Sequence, residues 1–546
     1  MGLNDSRTHS ENHLYIGRNK VVNFVFQSGR MKKYGLLFLV QFYALLIAAQ
    51  PSKPNIIVFL VDDMGWQDCS LPFWNTRTPL NARYHTPNME RLAKKGMMLT
   101  SAYSNSVCTP TRISLMTGMN VARHGVTNWT NVNINTPTDS KDSLLKPANW
   151  NYNGLTPETH NREDFHHTIV ATTLPQLLKD DGYYTINCGK AHFAPTGMPG
   201  ANPETLGFDI NIGGSSAGNP GSYLASKKYR YNDNDTNWAI KGLDKYIDQG
   251  IFLTEALTQD AISTLDHRNK EKPFFLYMSH YAIHIPFDKD ERFYQPYINA
   301  GLTETEAKYA ALIEGMDKSL GDLMDYLAKT GLDKNTYILF TSDNGGLSLK
   351  GARSGEAHTQ NLPLKQGKGS LYEGGIRVPM IAAGPHIATN TKSEQYIVSE
   401  DYFSTVLAMA GIKHPIVKQE VDGKNFLPLL QGKQKSIDQQ KILVWHYPNN
   451  WTNVELKGIS WASAIRQGDW KLIYFHKQGS LELYHINTDI EEAHDLSKSN
   501  KAKTKELASL LTQQLKSRNA PMPTWLATGK QIVWPDEIYQ LDRGKD

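Results

Sequence analysis

The chain has 546 residues, 40% hydrophobic and 10% aromatic, which is ordinary globular composition and enough to bury a large core. Its formal net charge of +4 lies entirely in residues 1–50, where six Lys/Arg face two acids; beyond them acids and bases balance. Nucleic acid, which needs a concentrated basic surface, is not an expected partner, and three cysteines exclude a disulfide framework.

In chain order, "MKKYGLLFLVQFYALLIAAQ" (31–50) comes first. Lys32 and Lys33 precede an apolar run from Leu36 to Ala49 and small residues near Ala48–Gln50, the layout of an export signal. The run is too short for a comfortable membrane span, so no stable membrane anchor is expected. Met31 then reads as the start, with residues 1–30 an over-extended N-terminus. The expected location is outside the cytoplasm, in the periplasm or secreted.

"NIIVFLV" (55–61) reads as a buried strand and delivers Asp62 and Asp63 at its end. "SNSVCTPTRISLMTGMN" (104–120) reads as a loop entering a helix, with Pro110 suited to the first turn. A helix N-terminus favours an anion, and Arg112 one turn on could pair with an oxyanion. Cys108 therefore sits where the negative group of a substrate would be held. A plain thiolate nucleophile is one reading, although a thiolate matches a hard cation poorly. His124 follows soon after and reads as a supporting or structural residue. Cys69 and Cys188 could pair or be buried singly.

Residues 127–167 are rich in Asn, Thr, Trp and Pro without periodicity, as expected of a loop walling an active site. "YTINC" (184–188) reads as a strand followed by Lys190 and His192, whose spacing puts both on one face of extended chain. "FFLYMS" (274–279) leads to His280 and His284. The apolar steps of three and four across 304–329 predict a helix, with a Thr303/Glu306 capping box and Gly331 as stop. "YILFTS" (337–342) delivers Asp343 and Asn344. Lys368 lies in a glycine-rich loop, and "PMIAA" (379–383) is a further strand. After residue 436 the texture turns to short strands separated by turns, then a helix at about 500–517. The pattern predicts a doubly wound α/β domain over 51–435 and a small antiparallel α+β subdomain with a tail over 436–546.

Ligand sites in open α/β sheets lie outside the carboxyl ends of strands. Asp62, Asp63, Asp343 and Asn344 would there offer four hard oxygens, which favours Ca²⁺ or Mg²⁺ over Zn²⁺. Trp129, Trp445 and Trp451 are either sugar platforms or packing residues.

The Cys-x-Pro-x-Arg of Cys108, Pro110 and Arg112, followed by Thr117-Gly118, resembles the signature of the type I sulfatases, in which a separate enzyme oxidises the cysteine to Cα-formylglycine (3-oxoalanine). The resemblance spans nearly all of residues 53–520. Thr111 stands where the family usually has Ser, and Ala191 where Trp is more frequent. The resemblance implies an alkaline-phosphatase-like fold, a Ca²⁺ site (Mg²⁺ second) made by Asp62, Asp63, Asp343, Asn344 and the converted Cys108, and a sulfuric ester hydrolase. It further implies that hydrated formylglycine attacks sulfur, with Arg112, Lys190 and Lys368 neutralising sulfate oxygens, His284 protonating the leaving alcohol and His192 taking the proton that releases sulfate. The implied partners are a formylglycine-generating or anaerobic sulfatase-maturating enzyme and a sulfated oligosaccharide, with ulvan first and carrageenan, fucoidan and glycosaminoglycans behind. A phosphonate or phosphodiester hydrolase of the same superfamily and an inactive sugar-binding homologue are the alternatives.

Overall fold

Alternation of side chains along β1 (Asn55–Val61) sets the layout of the protein. Ile57, Phe59 and Val61 enter one hydrophobic core and Ile56, Val58 and Leu60 enter another, so the strand is buried on both faces. The structure is a computed structural model and describes residues 53–347, 361–434, 438, 440–451 and 458–538. The expected export segment (31–50), the preceding 1–30 and the end of the tail lie outside the described residues.

The other strands of this sheet are β2 (Gly96–Tyr103), β3 (Tyr184–Gly189), β4 (Ile210–Ile212), β5 (Phe274–Ser279), β6 (Thr336–Ser342), β7 (Arg377–Ala383), β8 (Thr391–Ser393) and β9 (Ile397–Val398). Their order is β8-β2-β7-β6-β1-β5-β3-β4, with β9 also on β2. β1 is parallel to β5 and β6, with Ile56 opposite Phe275 and Tyr337, and β3 is parallel to β4 and β5. Only β7 runs against its neighbours, β2 and β6. Pro379, which has no N–H to give, sits at the register shift between Val378 and Met380.

Helices α1 (Pro87–Lys95), α3 (Leu253–His267) and α4 (Glu304–Thr330) cover one face; α2 (Cys108–Thr117) and α5 (Asp401–Ala410) cover the other. α4 begins with the expected capping box at Thr303 and Glu306 and ends at Gly331, whose φ of 72° suits a residue without a Cβ. Among the described residues no helix is long and apolar enough to cross a membrane.

A second sheet is an antiparallel meander of β10 (Ile442–Tyr447), β11 (Ala462–Gln467), β12 (Trp470–Phe475) and β13 (Ser480–His485). α6 (Lys501–Ser517) packs Leu507, Leu511 and Leu515 on one face of it. The other face shares a core with Tyr103, Val107, Tyr372 and Ile376, next to the cysteine helix. Buried Lys471 completes that junction by pairing with Glu373 and Glu492, both at 2.9 Å. Trp445 and Trp451 are buried in this core, and Trp445 Nε1 donates to Ser104 O at 2.9 Å. Both are packing residues, which closes the choice left open for them in favour of packing.

Candidate active site

Two adjacent parallel strands end side by side: β1 runs into Asp62 and Asp63, β6 into Asp343 and Asn344. Asp63 N donates to Asp343 Oδ1 at 3.2 Å and Asn344 Nδ2 donates to Asp63 Oδ1 at 2.7 Å, so the two turns are tied. Asp63 has φ 65°, an uncommon backbone for a residue with a Cβ, held by these contacts.

The helix that starts at Cys108 approaches from the other core. Val107 is its N-cap, and Pro110 falls within the first turn, where a missing N–H costs no helical bond. Gly118 ends it with φ 70°. Thr111 Oγ1 donates to Asp343 O at 2.6 Å and accepts from Asn105 N at 2.8 Å. Arg112 is fully buried. Its Nε and Nη2 donate to Asp343 Oδ2 at 3.0 and 2.7 Å, and its Nη1 reaches Lys190 O at 3.0 Å and Ser279 Oγ at 2.5 Å. The guanidinium expected to clamp an anion is thus engaged by protein groups and fixes Asp343.

Lys190, just past β3, donates to Asp62 Oδ2 at 2.7 Å, and Lys368 donates to Asp63 Oδ1 at 2.5 Å. Lys368 is placed by its own N–H on Gly346 O (3.2 Å) and by Gly369 N on Ser106 O (2.8 Å). His284 Nδ1 lies 3.0 Å from Ile285 O, and its Nε2 lies 3.6 Å from Asp63 Oδ2. The first contact requires an N–H on Nδ1, which leaves Nε2 facing the carboxylate. His192 Nε2 lies 2.9 Å from Thr130 O, so it carries the proton, and Nδ1 is buried without a partner.

These residues meet. Ligand atoms of Asp62, Asp63, Cys108 and His284 lie within 4.8 Å of one another. Three carboxylates (Asp62, Asp63, Asp343) face three cations (Arg112, Lys190, Lys368), all buried. Burial, with Asp343 alongside, pushes Asp62 well above the usual carboxylate range against the pull of Lys190. Burial also opposes the Asp63 anion, but Lys368, His284 and the Asn344 hydrogen bond outweigh it and hold that carboxyl well below the usual range. Burial pushes the Cys108 thiol up to about 11, although Lys190 and Lys368 pull the other way. An unmodified cysteine here is a protonated thiol at neutral pH, not a thiolate.

Asp62 Oδ1, Asp63 Oδ2 and Asn344 Oδ1 are buried with no hydrogen-bond partner. Leaving such oxygens unmatched is costly. Hard oxygens of this kind fit a hard divalent cation. His280 points elsewhere, with Nε2 2.8 Å from Ser319 Oγ. His124 accepts from Val126 N at 3.1 Å and meets Ser114 Oγ at 3.1 Å, a structural role inside the helix-packing layer. Cys69 and Cys188 are both free and buried. The loop 127–167 does reach the site, since Thr130 holds His192 and its N–H donates to Thr109 Oγ1 at 3.1 Å.

Sequence reasoning missed three contributors. Ser279 Oγ ends β5 and takes an Arg112 donor; Thr130 orients His192 through its carbonyl, which carries no side-chain signature. Gly218 lies so close that a Cβ would sit 2.6 Å from the His192 ring. Only Ser279 had a signal, as the last residue of an apolar strand.

A sulfatase family model matches residues 54–412. The chain belongs to the sulfatase family. A second model, for the C-terminal part of N-sulphoglucosamine sulphohydrolase, matches residues 366–520. The chain is 28% identical to a sulfatase of Formosa agariphila over 93% of its own length and 98% of that protein's. It is 30% identical to mouse N-acetylgalactosamine-6-sulfatase over 76% of both. Among solved structures it is similar to Ps i-CgsB in complex with k-i-k-neocarrahexaose, with 26% identity, TM-score 0.65, and 90% of this chain and 98% of that one covered. This sulfatase is a sulfuric ester hydrolase on an alkaline-phosphatase-like α/β fold.

Proposed function

We propose that this sulfatase is exported and removes sulfate from carbohydrate, using Cys108 converted to formylglycine and a divalent cation. The observation that carries the reading is the state of Cys108. Its thiol is buried and held protonated, yet it shares a 4.8 Å cluster with Asp62, Asp63 and His284 and sits in the field of Lys190 and Lys368. A thiol has no evident use there; a hydrated aldehyde does.

Asp62, Asp63, Asp343, Asn344 and the converted residue 108 would hold the cation, with Ca²⁺ first and Mg²⁺ second. It would supply electrophilic pull on the sulfate group. Hydrated formylglycine would supply one hydroxyl to attack sulfur and a second whose deprotonation expels sulfate and restores the aldehyde. On formal charges the three carboxylates and three cations balance, and burial favours the neutral form of Asp62, so a divalent cation would leave net positive charge to meet the anionic ester. Lys190 and Lys368 present ammonium groups to the sulfate oxygens. Arg112 keeps Asp343 in place behind them. His284 presents Nε2 to the reacting side; as the imidazolium, protonated at Nε2 as well as at Nδ1, it would give the Nε2 proton to the departing alcohol, while His192 Nδ1 takes the proton of the second hydroxyl. Residues 51–435 carry this chemistry and 436–546 form the adjoining subdomain.

Carbohydrate as substrate class is supported by the sugar sulfate named for the mouse relative and the neocarrahexaose bound to Ps i-CgsB. Among algal polymers, ulvan oligosaccharides are the first choice on the overall pattern of the sequence, with carrageenan next. The test is hydrolysis of an aryl sulfate, an aryl phosphodiester and sulfated oligosaccharides by protein co-produced with a sulfatase-maturating enzyme. Sulfate ester cleavage is expected to dominate. A clear preference for the phosphodiester contradicts the reading.

A further inference from the structure

The loop from Gly213 to Trp238 links the two imidazoles of the site. Gly218 lies against the His192 ring. Further along, Tyr223 Oη donates to the carbonyls of Tyr281 and His284 at 2.6 and 2.9 Å, and Tyr223 N donates to Asp288 Oδ2 at 2.8 Å. The chain then returns as "RYNDNDTNW". Gly221 packs so tightly on it that a Cβ would sit 2.3 Å from Tyr231 N. Three residues of chain, at most roughly 11 Å, separate that contact from the Gly218 contact with His192.

This stretch leaves an aromatic pair facing water. Tyr231 is 49% exposed, and its ring meets half-buried Trp238 edge-on at 6.3 Å. Single exposed aromatics need no explanation; these two are held. Asp235 accepts from Tyr231 N at 3.0 Å and from Trp238 N at 2.9 Å, closing the turn between them. Asn219 Nδ2 donates to Tyr231 Oη at 2.7 Å, and Gly221 N donates to Trp238 O at 2.8 Å. The pair is preorganised against the loop that packs Gly218 on His192. An apolar face with a hydroxyl at its edge suits the C–H face of a pyranose ring, and a contact fixed beforehand loses little entropy on binding.

We propose that Tyr231 and Trp238 form a platform that stacks a sugar ring of the substrate beyond the sulfated residue, so that the enzyme prefers oligosaccharides over small sulfate esters. This rests on the reading of the chain as a carbohydrate sulfatase.

The experiment compares kcat/KM for 4-nitrophenyl sulfate with that for the best-cleaved member of a panel of ulvan, carrageenan, fucoidan and glycosaminoglycan oligosaccharides. The proteins are matured wild type, Tyr231→Ala, Trp238→Ala and Tyr231→Phe, each checked for folding by its melting transition. The ratio of oligosaccharide to aryl sulfate kcat/KM is expected to fall about tenfold in both alanine variants, through KM, and to be retained in Tyr231→Phe. A ratio that does not move in either alanine variant overturns the platform alone. Wild-type protein that cleaves aryl sulfate but no oligosaccharide overturns the carbohydrate reading and the platform with it.

Discussion

Thr111 joins the cysteine helix to the second acidic strand end: its hydroxyl donates to Asp343 O at 2.6 Å and accepts from Asn105 N at 2.8 Å. The hydroxyl is what this position uses, and serine carries the same group, so Thr111 in place of the more frequent Ser leaves the tie intact. Thr111→Ser is expected to keep stability and activity. Thr111→Val strands a buried donor and acceptor and should cost ~1–3 kcal/mol, read as a lower unfolding midpoint. Equal midpoints for the two variants contradict this account of the position.

Arg112 donates to Asp343, Lys190 O and Ser279 Oγ from within the core. Lysine cannot reproduce that fork. Arg112→Lys is expected to lose about 3–5 kcal/mol of stability and most of kcat, because Asp343 is left buried without its partner. Retained stability with lost activity would show instead that Arg112 acts on substrate rather than on Asp343.

The unpartnered oxygens of Asp62, Asp63 and Asn344 call for a cation. Chelator treatment should abolish aryl sulfate hydrolysis, and Ca²⁺ should restore it better than Mg²⁺. Ca²⁺ at about 100 times its Kd should also stabilise the folded protein by ~2.7 kcal/mol in a thermal-shift measurement. Full activity and an unmoved melting point after chelation argue against a metal centre.

His446 lies in β10 of the second sheet. Its Nε2 donates to Pro521 O at 2.9 Å, its Nδ1 meets Ser463 Oγ at 2.8 Å, and burial pushes it down to about 4. The unfolded chain then binds a proton that the folded chain refuses between about pH 6.5 and 4. This contribution to stability is present above pH 6.5 and is lost as pH falls through 4. Melting points across pH 7.5–4 should fall toward acid, less steeply in His446→Gln. Identical slopes for variant and wild type would remove His446 from the explanation.

The five apolar runs read as strands from the sequence all lie in the main sheet, and α4 begins and ends where its caps predict. The acidic pairs were legible because they follow runs that are buried on both faces. β2 was not: "GMMLTSAY" mixes glycine, threonine and serine into its apolar run, and its place against antiparallel β7 is a non-local fact. Gly218 beside His192 and the pairing of exposed Tyr231 with half-buried Trp238 were hidden for the same reason. A loop rich in Asn and Asp announces turns, not the side chain it will touch.

The central claim is that residue 108 is no longer cysteine in the working enzyme. Mass spectrometry of the peptide spanning residue 108, on protein of measured aryl sulfatase activity, tests it most directly. The account predicts loss of the thiol sulfur and a carbonyl that forms a hydrazone, with the converted fraction tracking specific activity. An unmodified Cys108 thiol in fully active protein would contradict it.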